Sequence, residues 1–309
     1  MSLNPLSLFR AMPGSIAQGM IWGVMALGVY ITFRLLDFAD LTVDGSIATG
    51  AAVSVMLIRA GVSPIATLPI AFLAGALAGM VTGLLNTALG IPGILASILT
   101  QISLYSINLN IMGKANQPVS VDNYPLVVSL RYVTDGSVSR LLFFLGMIVF
   151  LLALIAVMYW YFGTEQGHAI RATGCNGNMA RAQGINTNFI KVLALMISNG
   201  LVALSSALLA QYQGFADVNM GRGAIVIGLA AVIIGEAIFG RIFRNFALRL
   251  LSVAFGSILY YLVLQTVIWL GIDTDLLKML SALVVAVFLA VPYWKTKYFT
   301  KPTKRGGNN

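Results

Sequence analysis

Leu141-Leu-Phe-Phe-Leu-Gly-Met-Ile-Val-Phe-Leu-Leu-Ala-Leu-Ile-Ala-Val-Met-Tyr-Trp-Tyr161 runs without a single charged side chain. A run of this length and apolarity matches the roughly 20 residues that an α-helix needs to cross a hydrocarbon core about 30 Å thick. Comparable blocks lie on both sides of it. They predict spans near 15–36, 44–60, 65–89, 94–112, 139–161, 189–210, 224–240, 247–269 and 275–293. The fold class that follows is an all-α, polytopic membrane bundle of about nine helices, forming one domain over residues 1–309. Barrel strands would alternate polar and apolar residues, and these blocks do not.

Composition leaves little room for another class. The chain is 59% hydrophobic and only 9% charged, against roughly 25% charged residues in an ordinary soluble domain. Its net charge of +9 does not call for nucleic acid, because Lys295, Lys297, Lys301, Lys304 and Arg305 sit together in a tail from about residue 294. There they read as a cytoplasmic orientation anchor. The block from Ser15 to Leu36 leads directly into further membrane-like sequence and reads as a true first span, not a cleavable leader. Cys175 is the only cysteine. It can form no intrachain disulfide, and nothing near it completes a metal site.

An odd number of spans puts the termini on opposite sides, so a basic cytoplasmic tail implies an external N-terminus. On that topology 12 of the 19 Lys and Arg residues lie inside or at the inner boundary. The long connections 113–139 and 163–188 then fall outside and inside respectively. The stretch Arg34-Leu-Leu-Asp-Phe-Ala-Asp-Leu-Thr-Val-Asp-Gly45 admits two readings: an interfacial turn, or a re-entrant break tolerated at depth only where protein or a water-filled path surrounds it. Gly75, Gly79 and Gly83, like Gly19 and Gly23, are spaced by four and lay a ridge of small residues along one helix face. Close approach of a neighbouring backbone is expected there.

The connection 163–188 reads as two short helices with punctuation. Thr164 is placed to cap the first and Gly174 to end it, while Asn178 caps the second and Gly184 ends it. Asn186, Thr187 or Asn188 then starts the next span. Alanines at 169, 172, 180 and 182 keep the pair slim. Arg171 and Arg181 leave it polar enough to face water or a protein, a shape suited to docking in a groove as well as to a structured loop.

The run Gly167-x-Ala169-x-Arg171-Ala172-x-Gly174-x-Asn176-x-x-x-Ala180-x-x-x-Gly184-Ile185-Asn186 resembles the cytoplasmic coupling segment of ABC-importer permeases of the branched-chain amino-acid and ribose type. Gly90-Ile-Pro-Gly-Ile-Leu-Ala-Ser-Ile-Leu-Thr100 and Ala230-Ala-Val-Ile-Ile-Gly235 extend the resemblance over nearly the whole chain. Glu236 departs from it, standing where the family usually has glycine. Asp40-Leu-Thr-Val-Asp-Gly45 is similar to the version in a subgroup associated with tryptophan or tyrosine.

The resemblance implies a bacterial inner-membrane permease working as a homodimer. An external binding protein delivers the solute, and two ATP-binding subunits dock on 164–184. The coupling residues it points to are Glu165, Gly167, His168, Ala169, Arg171, Ala172, Gly174, Asn176, Ala180, Arg181, Gly184 and Ile185. The sequence holds no G-x-x-x-x-G-K-[ST] loop, so ATP and Mg are expected on the partner ATPase, with no cofactor in this chain.

Polar side chains inside spans are costly and therefore informative. Asp44, Asn86, Gln101, Ser103, Asn108, Ser198 and Asn199 are candidates either to line a path or to bond neighbouring helices. Glu236 is read as a partner for Arg241 or Arg244, with proton coupling as the alternative. An ion-coupled secondary transporter or channel, a different cargo such as a sugar or nucleoside, and a membrane-embedded enzyme remain the competing functions. The enzyme lacks any acid, base and nucleophile constellation.

Overall fold

The computed structural model describes residues 5–120, 122–134, 137–240, 242–243 and 245–270, with isolated positions between 276 and 290. Within lipid every peptide N–H and C=O must find its partner inside the chain, and an apolar sequence satisfies this by coiling into helix. In chain order the elements are α1 (Pro5–Tyr30), continued by a π-helical stretch Ile31–Leu35, α2 (Thr42–Arg59), α3 (Pro64–Thr87), α4 (Gly93–Met112), β1 (Asn116–Pro118), α5 (Leu130–Thr134) and α6 (Ser137–Tyr161). There follow α7 (Glu165–Cys175), α8 (Gly177–Ala182), α9 (Thr187–Gln213), β2 (Phe215–Asp217), α10 (Ala224–Phe239) and α11 (Phe246–Trp269).

Helices stand at eight of the nine positions where spans are expected. Among the described residues six segments are long and apolar enough to cross a bilayer. The ninth expected span, 275–293, and the basic tail fall largely outside the described residues, as do Arg241 and Arg244. At 18 and 16 residues, α2 and α10 reach only about 27 and 24 Å, short of a full hydrocarbon core.

α1 and α9 form the centre, and α4 and α6 stand at the periphery with most of their apolar side chains outward. Because lipid tails are as apolar as leucine, helices in a membrane associate through close packing and hydrogen bonds. Both are present. A Cβ added at Gly75 or Gly79 would lie 2.2 Å from the carbonyl oxygen of Asn199 or Leu195, and one at Gly83 would lie 2.8 Å from the Cα of Val192. The glycine ridge of α3 therefore lies directly on the backbone of α9. Gly19 and Gly23 serve α1 in the same way against Ile258 and Ala254 of α11. Ser205 donates to the carbonyl of Ile21 at 2.7 Å and Ser257 to that of Gly19 at 2.6 Å, fastening α9 and α11 to α1.

The structure decides between the two readings of residues 34–45. Leu35 reaches the end of the bundle that carries α7, where Gly174 packs on its carbonyl oxygen. From there the chain turns back. Asp40, buried, accepts from Asn199 Nδ2 at 2.7 Å and from the N–H of Thr42 at 2.9 Å, while Ser46 donates to Asn199 Oδ1 at 2.7 Å. Asn199 lies near the midpoint of α9, about 18 Å from its start. The segment is thus re-entrant, and α2 begins inside the bundle.

A second re-entry mirrors it. β2 pairs antiparallel with β1 at the opposite end of the bundle, in the register Asn116↔Asp217. The chain then descends to Gly223, whose N–H, with that of Ile225, donates to the Asp44 carboxylate at 3.0 Å. Two helix N-termini therefore start at depth, each with its free N–H groups and positive dipole end met by an aspartate.

Candidate functional site: the α7–α8 knob and the mid-depth cavity

α7 and α8 protrude from one end of the bundle, and short polar caps shape them. Thr164 Oγ1 accepts the N–H of Gly167 at 3.5 Å. Asn176 closes α7 and opens α8, its Oδ1 accepting from the N–H groups of Asn178 and Met179 at 3.1 Å each. One asparagine thus does what Gly174 and Asn178 are expected to do separately. Gly184 adopts φ +83°, and Asn186 Oδ1 caps α9 through the N–H of Phe189 at 3.2 Å. Replacing Asn176 by alanine is expected to destabilise α8 by about 1 kcal/mol. Faster deuterium uptake at 177–182 against unchanged uptake in α9 would register it.

The knob is rooted through residues without side-chain bulk. A Cβ at Gly167 would lie 2.4 Å from the Cα of Phe162, and one at Gly174 only 1.9 Å from the carbonyl oxygen of Leu35. Ala180 is buried, Ala169, Ala172 and Ile185 are half-buried, and Glu165, His168, Asn176 and Arg181 are exposed. His168 Nδ1 lies 2.8 Å from the carbonyl of Thr164, a contact local to the helix. Arg181 Nε donates to Thr187 Oγ1 at 2.9 Å, tying α8 to the start of α9.

Arg171 departs from the expectation that it faces outward. Its guanidinium carbon sits 4.0 Å from the ring centroid of Phe246 and 5.8 Å from that of Phe162. Weakly hydrated and planar, a guanidinium stacks readily on aromatic faces. Arg171 consequently joins α7 to the start of α11. Glu236 Oε1 accepts from Arg34 Nε at 3.0 Å, a partner the sequence did not point to, linking the end of α10 to the end of α1. Arg241 and Arg244, the partners expected from sequence, lie outside the described residues.

The polar residues of the spans separate into two groups. Asp44, Gln101 and Asn108 line one cavity of about 280 Å³, together with Ala48, Tyr105 and Arg222. The others do not line it. Asn86 donates to the carbonyl of Ile91 at 2.8 Å and closes the α3–α4 turn, and Ser103, exposed, donates within α4 to Leu99. Ser198 donates to the carbonyl of Gly28 at 2.8 Å, and Asn199 holds Asp40 and Ser46. These last two bond neighbouring helices, the alternative that their sequence positions left open.

Arg222 is the residue that the sequence reading passed over. Its signal was a lone cation between Gly221 and Gly223, directly before an apolar helix too short to span.

Comparison with known proteins places this architecture. Residues 12–291 match the family described as the branched-chain amino acid transport system permease component. The chain is 38% identical over 275 residues, 89% of each protein, to a tyrosine transport system permease protein of Clostridioides difficile. It is 35% identical over 278 residues to the uncharacterized protein RP368 of Rickettsia prowazekii, covering 89% of this chain and 95% of that one. To an autoinducer 2 import system permease protein of Yersinia pseudotuberculosis it is 31% identical over 216 residues, 69% of this chain and 58% of that one. With its apolar helices, its knob and these relatives, the chain belongs to the branched-chain amino-acid-type permease family of ABC transporters, as a multi-pass membrane subunit that carries a small solute and is not itself an enzyme.

Proposed function

We propose that two copies of this chain form the membrane channel of an ATP-driven importer for an amino acid, aromatic in its side chain, in a bacterial inner membrane. The N-terminus lies outside, and the knob and C-terminus lie in the cytoplasm. Two ATPase subunits, which hold ATP and Mg, dock on 164–184, and an external binding protein supplies the cargo. The observation that carries this reading is the rooted knob: Gly174 on Leu35, Gly167 on Phe162 and Arg171 on Phe246 connect it to the ends of α1, α6 and α11. A push on α7 and α8 is therefore delivered to three helices at once. A homodimer is supported by α4, which stands at the edge of the bundle yet exposes Ser103, Ser106 and Asn110, side chains poorly suited to lipid. The aromatic cargo is supported by the name of the Clostridioides difficile relative.

The sidedness has a direct test, because Cys175 is the only cysteine and is exposed on the knob. A membrane-impermeant maleimide is expected to label it in inside-out vesicles and not in intact cells; labelling from outside inverts the topology and removes the docking site. For the cargo, the binding protein encoded with this permease should be stabilised thermally by an aromatic amino acid. The same amino acid should stimulate vanadate-sensitive ATP hydrolysis in the assembled complex, and a sugar that did so instead would replace it. Arg171→Ala should lower uptake several-fold while ATP hydrolysis persists, because the contact from knob to α11 is lost. Parallel loss of both activities would assign Arg171 to docking or folding instead.

A further inference from the structure

The cavity lined by Asp44, Tyr105, Asn108 and Arg222 holds two groups, Asn108 and Arg222, that no other part of the bundle explains, and a third, Asp44, whose role as a helix cap leaves it room to accept more. Asn108 is fully buried, and neither its amide nitrogen nor its oxygen has a hydrogen-bond partner among the described residues. An amide left so in the interior is destabilising unless something pairs it. Arg222 stands beside the break before α10, where Gly221 packs on the carbonyl oxygen of Asp44. Asp44, beside which it stands, lies about 22 Å from the far end of α2, reckoned along the helix to Arg59, and the Arg222 side chain itself is exposed, toward the cavity it lines. Among the described residues it makes no ion pair. A cation at such depth needs water or an anionic group. Asp44 spends one lone pair of each oxygen on the N–H groups of Gly223 and Ile225. A carboxylate offers about four such sites, so capacity to accept remains.

We infer that this cavity is an intramembrane binding site for a zwitterionic α-amino acid, with the carboxylate on Arg222, the ammonium on Asp44 and the Asn108 amide completing the polar shell. Tyr105 and Ile102 offer the face against which the substrate side chain lies. At about 280 Å³ the space lies just below the range of roughly 300–1,000 Å³ for small-molecule pockets, which suits one amino acid and little more. Cationic, anionic and amide groups together recognise both ends of a zwitterion. A sugar would leave Arg222 without a counter-charge. The inference rests on the reading of the cargo as an amino acid and adds a checkpoint for it inside the membrane.

The test uses the full chain in lipid nanodiscs and equilibrium dialysis against labelled L-tyrosine, other L-amino acids and D-ribose. Tyramine, which lacks the carboxylate, and 3-(4-hydroxyphenyl)propionate, which lacks the amine, serve as competitors. L-Tyrosine is expected to bind, with each truncated analogue at least about tenfold weaker. Arg222→Met should erase the preference for tyrosine over tyramine. Asn108→Leu should abolish binding while leaving the melting temperature equal to or above wild type, because it removes an unpaired amide; a structural role for Asn108 predicts a lower one. Variants that bind and discriminate as wild type would overturn the site, as would a wild-type chain that binds no amino acid. Uptake by the complete transporter separates the two levels. Amino-acid uptake with unaffected variants leaves the cargo reading standing and removes the site, whereas uptake of a sugar alone removes both.

Discussion

Gly79→Leu is expected to prevent the bundle from assembling. The first added carbon alone would lie 2.2 Å from the carbonyl oxygen of Leu195, and what stands in its way is helix backbone, with no flexible side-chain tip to swing aside. Overpacking a core usually costs about 1–3 kcal/mol when neighbours can yield, and here α3 would have to part from α9 along the contact that organises the interior. Low yield of monodisperse protein in detergent and a sharply lowered melting temperature are the expected readouts. Gly146→Leu is the matched control, since a Cβ there meets nothing within 4 Å. It should behave as wild type. Equal stability of the two variants would show that α3 and α9 do not touch as described.

The second large effect concerns Asp40. Removing its carboxylate by Asp40→Ala strands the N–H of Thr42 at the start of α2 and the side-chain nitrogen of Asn199, which keeps only the Leu195 carbonyl. Each buried group left unpaired costs about 1–3 kcal/mol, so a loss of about 2–6 kcal/mol is expected. Asp40→Asn keeps one acceptor oxygen and should lose less. The comparison separates the need for an acceptor from the need for charge at the helix start. Thermal unfolding followed by ellipticity would measure it, and an alanine variant as stable as wild type would show that the Asp40–Asn199 bond does not hold the break in place.

Much of the architecture was readable in the chain because lipid makes a crude demand: length and apolarity. Runs such as Leu141–Tyr161 have no other use, and eight expected helices appear with ends shifted by a few residues, except that α1 begins at Pro5, ten residues before its expected start. Depth was less legible. Hydropathy counts residues along a helix but does not say where that helix begins, so α2 and α10 looked like ordinary spans although Asp40 and Asp44 anchor their starts inside the protein. Partner choice was the other gap. Arg171 and Glu236 are polar in sequence, and only folding shows that one stacks on Phe246 and the other meets Arg34. For the cavity, Asp44, Gln101 and Asn108 stood out as polar residues in apolar blocks, whereas Arg222, a lone cation between two glycines outside any such block, did not.

The glycine contacts of α3 with α9 also determine where the molecule can give. Two helices fitted backbone to backbone at Gly75, Gly79 and Gly83 cannot slide without collision, so they move as one plank. Compliance is left to the interruptions at 36–41 and 218–223, where no continuous ladder of helix bonds crosses. Both interruptions converge on Asp40, Asp44 and Arg222, so the joints of the machine and its most polar interior are one place.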